Sequence, residues 1–170
     1  EQGAAVAEAD IYGPLPYDAE AVDALLVTHA HLAHVGRIPK LVKDGFRGSI
    51  YMTPPTRDLM ELILRDSADL LARDALRRGL PPLYEEKDID AALSLVHTLK
   101  YHTEKEVAPG LVAYLRPTGH ILGSASARIA GGGVSIALTS DIGNSPSPLL
   151  PDWEPVPDAD ALVMESVYGD

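Results

Sequence analysis

The chain has 170 residues, 46% of them hydrophobic, and no cysteine, so it is one domain or most of one, with a real core and neither disulfides nor thiolate metal ligands. No uninterrupted apolar run reaches membrane-spanning length and no charged-apolar-small leader opens the chain, which makes a soluble protein of the cytoplasm the expectation. The balance of 14 Lys+Arg against 25 Asp+Glu, net −11, is opposite to the basic face of an autonomous nucleic-acid binder, although a sum hides local patches and a carboxylate-bearing metal site would add to it.

Residues 1–20 are rich in Ala, Gly, Pro and acidic residues, and Gly13-Pro14 with Pro16 reads as loop. The short apolar run 24–28 reads as a buried strand. It leads into Thr28-His29-Ala30-His31-Leu32-Ala33-His34, which holds three of the six histidines. A spacing of two on extended backbone points His29 and His31 to one side. His34 follows where the chain turns into a helix expected over 35–42, and its ring can swing toward the same point. A lone histidine is usually a packed or surface residue. Three in a His-x-His-x-x-His pattern at a strand end make metal binding the first hypothesis, because neutral imidazole suits zinc and similar ions.

Gly45 is placed to end that helix near Asp44, and 49–52 reads as a strand. Thr53 is a fitting N-cap with Pro54 and Pro55 in the first turn of a helix running to about Arg78, whose apolar positions are 59, 62, 63, 70 and 71. Arg73, Arg77 and Arg78 near its end favour the negative end of the helix dipole and face solvent more readily than RNA. Asp88 is expected to open a helix from 89 to about 97, leaving His97 a capping or surface residue. His102, before the charged turn Glu104-Lys105-Glu106, is likewise given no role.

Strands are expected over 111–115, 125–129 and 134–138, with Gly131-Gly132-Gly133 as a hairpin turn. Two strand ends carry chemistry. Gly119-His120-Ile121-Leu122-Gly123-Ser124 sets a histidine between glycines, which allow tight turns and close backbone approach. Thr139-Ser140-Asp141-Ile142-Gly143-Asn144 sets an aspartate at the end of an apolar strand. A Pro-rich connector, 145–157, carries the single tryptophan, Trp153, and leads to a last strand over 161–164. The final residues are Glu165-Ser166-Val167-Tyr168-Gly169-Asp170.

Together the His-rich turn with its Gly-Arg-Ile-Pro-Lys-Leu continuation, Pro-Pro-Thr-Arg, Gly-His-Ile-Leu-Gly-Ser, Ser-Asp-Ile-Gly-Asn and Glu-Ser-Val-Tyr-Gly-Asp resemble the β-CASP branch of the metallo-β-lactamase superfamily, RNA-processing nucleases among them. The resemblance covers nearly the whole chain. It implies an α/β fold, the αββα sandwich of the lactamase-like domain. Residues 1–170 are expected to be a partial domain, lacking N-terminal strands before Glu1-Gln2-Gly3 and cut before the β-CASP domain.

Carried over position by position, the resemblance implies that His29, His31 and His120 hold one zinc, that Asp141 bridges to a second, and that His34 binds the second. Glu165 matches an acidic residue that braces the site, and Tyr168 is left as packing. The family motif reads His-x-His-x-Asp-His, and Ala33 stands where it has Asp. A methyl group removes a hard anionic ligand and the acceptor that would position an attacking water. One zinc in place of the family's two is therefore expected, on a zinc-dependent hydrolase of RNA phosphodiester bonds inactivated by Ala33. RNA would be the partner through the full-length protein, with no membrane association and a homodimer possible. Two other readings remain: a lactamase-fold hydrolase of a small ester or thioester, and a noncatalytic scaffold subunit.

Overall fold

A computed structural model describes residues 13–166. The Glu1-Gln2-Gly3 resemblance and Tyr168 fall outside them. A single 3-10 turn, Ala19–Ala21, capped by the Asp18 carboxylate, precedes strand β1, Ala24–Leu26. Helices α1, Leu32–Val35, and α2, Ile38–Lys43, follow. Strand β2, Ser49–Met52, then leads into helix α3, Pro54–Arg78, and helix α4, Glu86–Ser94. The remaining elements are strands: β3, Val96–Thr98; β4, Lys105–Ala108; β5, Leu111–Pro117; β6, Ala125–Gly131; β7, Val134–Leu138; and β8, Ala161–Val163.

The first three strands make a parallel sheet in the order β1-β2-β3, and the other five make a second sheet in the order β4-β5-β6-β7-β8. Parallel neighbours need crossover connections, and α1 to α4 supply them. On the helical side of the first sheet, Ile50 and Met52 join Val35, Ile38, Leu41, Val42, Met60, Leu64 and Ile89 in the larger core. On its other side Leu26 packs against Ala113, Leu115, Ala125 and Ala127 of the second sheet. Alanines at this contact let the two sheets approach closely, and the layers run helix, sheet, sheet.

The fourth, helical layer of the expected sandwich is not among the described residues. By strand alternation Arg116 and Arg128 lie on the face of the second sheet opposite Leu115 and Ala127. There the proline-rich connector covers them: Arg116 donates to the Pro155 carbonyl and Arg128 to that of Asp158.

Four local expectations are corrected. The helix expected over 35–42 is two short helices, parted at Gly36-Arg37, because Pro39 has no N–H to continue the first and sits instead in the opening turn of the second. The buried stripe of α3 is Thr56, Met60, Leu64, Ser67, Ala68 and Ala75, while Leu62 and Leu70 are 66% and 61% exposed; small hydroxyl side chains occupy core positions that a count of apolar residues passes over. Helix α4 starts earlier than expected, from a capping box in which Glu85 and Asp88 exchange side-chain and backbone hydrogen bonds, and it stops at Ser94. Val96, His97 and Thr98 are strand β3 because pairing with Ile50, Tyr51 and Met52 outweighs the local helical pattern. Last, Lys105 and Glu106, expected in a turn, belong to edge strand β4 paired with β5. Charges on an edge strand are an ordinary protection against further pairing.

Candidate metal centre

The site lies beyond the carboxyl ends of β1, β5 and β7. The turn after β1 carries His29 and His31, the turn after β5 carries His120, and Asp141 follows β7 by three residues. Two hydrogen bonds bring the turns together. The Ala125 N–H donates to the Thr28 carbonyl at 2.8 Å, and the Gly143 N–H to the Thr118 carbonyl at 2.8 Å. At Gly143 a side chain would run into the Gly119 carbonyl, so the two turns touch only because a glycine stands there.

The His120 turn is fastened at both ends. Ser124 Oγ accepts the N–H groups of His120 and Ile121 at 3.1 and 3.2 Å and pairs with the Thr118 hydroxyl at 2.9 Å. The Thr53 and Thr56 hydroxyls, at the start of α3, both donate to the Gly123 carbonyl, at 2.6 and 2.9 Å. Tyr101 donates its hydroxyl to the Ser124 carbonyl at 2.9 Å, and burial pushes its pKa up to about 12. Thr53 was legible as a helix cap, and Thr56 and Ser124 stand within recognised motifs, but the bonds that join them to the His120 turn, and the part played by Tyr101, carried no signal in the sequence.

The three rings of His29, His31 and His120 stand 4.8 to 5.2 Å apart, centroid to centroid, each nearly perpendicular to the next. One ligand atom from each of them and one Asp141 oxygen all lie within 4.8 Å of one another. Asp141 Oδ2 is 3.2 Å from His120 Nε2 and 3.6 Å from His29 Nε2. His29 is wholly buried, yet its Nε2 has no hydrogen-bond partner. A buried polar atom without a partner is costly. Aimed at a carboxylate and two further imidazoles, it suits the role of a metal ligand, and a set of imidazole and carboxylate donors is one that zinc accepts. Burial, ahead of the neighbouring His34, pushes the His29 pKa down to about 4 against the pull of Asp141, which keeps its lone pair free for an ion. Burial also lowers His120, again against Asp141.

His34 lies outside this group of four. Its ring is tilted against that of His29 at 4.0 Å, and it lines a neighbouring concavity of about 270 Å³ with Leu26, Ser140, Met164 and Glu165. Glu165 takes its position from its own N–H, which donates to Thr139 Oγ1 at 3.0 Å. Ala33 is exposed on α1. His97 is exposed, with its ring tilted over that of Tyr51 at 5.6 Å, and His102 pairs with Glu154 at 3.0 Å.

Two facing sheets with such a group at one rim describe a lactamase-like domain. No protein-family model matches the chain. Ribonuclease TTHA0252 of Thermus thermophilus is 36% identical to it over 163 residues, 96% of this chain and 36% of that protein. The transcription termination factor FttA is 38% identical over 156 residues in Methanococcus maripaludis, 90% of this chain and 24% of that protein. In Pyrococcus horikoshii it is 40% identical over 152 residues, 87% of this chain and 23% of that protein. The chain thus spans about a third of the ribonuclease's length and about a quarter of the termination factors'. Among solved structures, zinc-bound PqqB of Methylobacterium extorquens aligns with a TM-score of 0.48 at 16% identity, covering 71% of this chain and 38% of that one. Over 87–96% of its length the chain is thus similar to a ribonuclease and to transcription termination factors.

Proposed function

We propose that the chain is the lactamase-like part of a zinc-dependent ribonuclease, with its metal centre impaired at position 33. The observation that carries the reading is the buried, unpartnered His29 Nε2 facing His31, His120 and Asp141. These four residues would hold one zinc. A bound zinc supplies Lewis-acid charge for a phosphodiester oxygen and lowers the pKa of water.

The chain's own residues divide the remaining work. His29 stays neutral well below pH 7 and so offers a lone pair without first losing a proton. Asp141, half-buried between His29 and His120, adds the negative charge that fixes a cation there. Glu165 and His34, which line the adjoining concavity, would orient a second ion or a water. A carboxylate at position 33 would complete that second site and accept a proton from an attacking water, and the Ala33 methyl does neither. RNA as substrate is supported by the relative named a ribonuclease, and the cytoplasm is where such a substrate is met. A homodimer is also part of this reading, through the exposed apolar residues Val134, Ile136 and Val163 of β7 and β8.

The test is zinc content by elemental analysis beside cleavage of a labelled single-stranded RNA. The protein should carry about one zinc per chain. Ala33→Asp should raise this to about two and increase cleavage by about 100-fold or more, at least the upper end of what outer-shell partners alone contribute. Equal zinc and equal cleavage in both versions would remove position 33 from the site.

A further inference from the structure

Ser140 stands between the last residue of the β7 exit, Thr139, and the candidate ligand Asp141. It is one of only two non-glycine residues with positive φ among the described residues, at 56°. That left-handed backbone crowds a Cβ against the following carbonyl and is readily adopted only by glycine. If the turn were all that mattered here, glycine would make it better. The side chain therefore has a use that the backbone geometry opposes.

Its hydroxyl lies 3.1 Å from Nδ1 of His29, a residue 111 positions away in the chain. The Thr28 hydroxyl approaches the same nitrogen at 3.2 Å. On the far side of the ring, Nε2 is buried without a partner and faces Asp141 at 3.6 Å. A neutral imidazole has one N–H. For Nε2 to present a lone pair, the proton must sit on Nδ1, and there it needs an acceptor. Ser140 Oγ is that acceptor from across the fold, while Thr28, the adjacent residue, follows wherever the His29 backbone goes.

We propose that Ser140 is a positioning residue: its hydroxyl accepts the Nδ1 proton of His29, fixing the tautomer and ring plane that present Nε2 to a metal ion, at the expense of a left-handed backbone. The inference rests on the metal-centre reading and adds to it the residue that sets His29. Because Ser140 shares the turn with Asp141, one short segment places both a ligand and the partner that orients another.

The experiment compares the protein with Ser140→Gly and Ser140→Ala. Zinc affinity is measured by chelator competition, the His29 tautomer in the metal-free protein by long-range proton–nitrogen NMR of its ring, and the thermal midpoint of the metal-free protein by circular dichroism. In both variants the zinc Kd should rise about 10- to 100-fold, the range usual for partners that orient metal-bound histidines, and the Nδ1–H tautomer of His29 should lose its dominance. The glycine variant should also melt higher than the parent, since it relieves the left-handed residue, so that weaker zinc binding accompanies a more stable fold. The alanine variant keeps the backbone strain and separates loss of the hydroxyl from that relief. Unchanged affinity and an unchanged tautomer in either folded variant would overturn the role of Ser140 while the parent still binds zinc. A parent that binds zinc no better than a His29→Ala/His31→Ala double variant would overturn the metal reading itself.

Discussion

At the scale of single residues, the behaviour of His29 follows from where it sits. Its ordinary pKa of 6.5 falls to about 4, chiefly because burial disfavours the charged imidazole, and the His34 ring beside it adds to the effect. Between pH 6.5 and pH 4 the unfolded chain therefore binds a proton that the folded one refuses. Stability rises with pH across that window, is complete above about pH 6.5, and is lost as the pH falls toward 4. A shift of this size corresponds to at most about 3 kcal/mol for one wholly buried group. Urea denaturation of the metal-free protein at pH 4.5 and pH 7 should reveal the loss, and His29→Gln should show a visibly smaller pH dependence. An equal loss in both proteins would place the titrating groups elsewhere.

At the scale of elements, the candidate metal centre rests on a contact between the N-terminus of α3 and the turn that carries His120. Thr53 caps the helix by accepting the Thr56 N–H, and the hydroxyls of both threonines reach across to the Gly123 carbonyl. Gly123 has φ of +82°, and a Cβ there would stand 2.6 Å from Thr53 Oγ1 and from the Thr56 nitrogen. Gly123→Ala should cost about 2–3 kcal/mol through overpacking and left-handed strain together. It should also weaken zinc binding, because His120 rides on the same turn. Gly110→Ala is the matching control: φ is +74° but nothing lies within 4 Å of the added carbon, so only the strain of about 1 kcal/mol remains. Urea midpoints of the two variants check the difference, and equal midpoints would mean that the clamp at Gly123 gives way freely.

At the scale of the whole molecule, the two sheets are unequal. Three strands face five, and the face of the larger sheet that carries Ala127 and Leu138 also carries Val134, Ile136 and Val163 by register. Those three residues are 63%, 47% and 56% exposed. Adjacent exposed apolar side chains on neighbouring strands favour association, at roughly 25 cal/mol per Å² buried. The chain as described here should therefore self-associate at micromolar concentration, and Ile136→Lys with Val163→Lys should return it toward a monomer. Sedimentation velocity in the two forms is the measurement, and a parent that sediments as a monomer throughout would count against the prediction.

Local chemistry made much of this protein legible from sequence. His29, His31, His120 and Asp141 were found because ligand-type side chains at strand ends stand out against apolar runs, and the cap at Thr53 and the hairpin at Gly131-Gly132-Gly133 follow from backbone rules that act within a few residues. What acts across the fold was not legible. Strand β3 forms only because β2 offers Val96 a partner, and the buried stripe of α3 is chosen by what packs beneath it. The hydroxyls of Thr53, Thr56 and Ser140 acquire their meaning from a carbonyl 67 or 70 residues away and an imidazole 111 residues away. Sequence determined which residues are chemically able to gather an ion, because that ability belongs to the side chain itself. Only the tertiary structure decided which nitrogen of His29 faces the site and which hydroxyl holds the other, because ring orientation is set by contacts between segments that are remote in the chain.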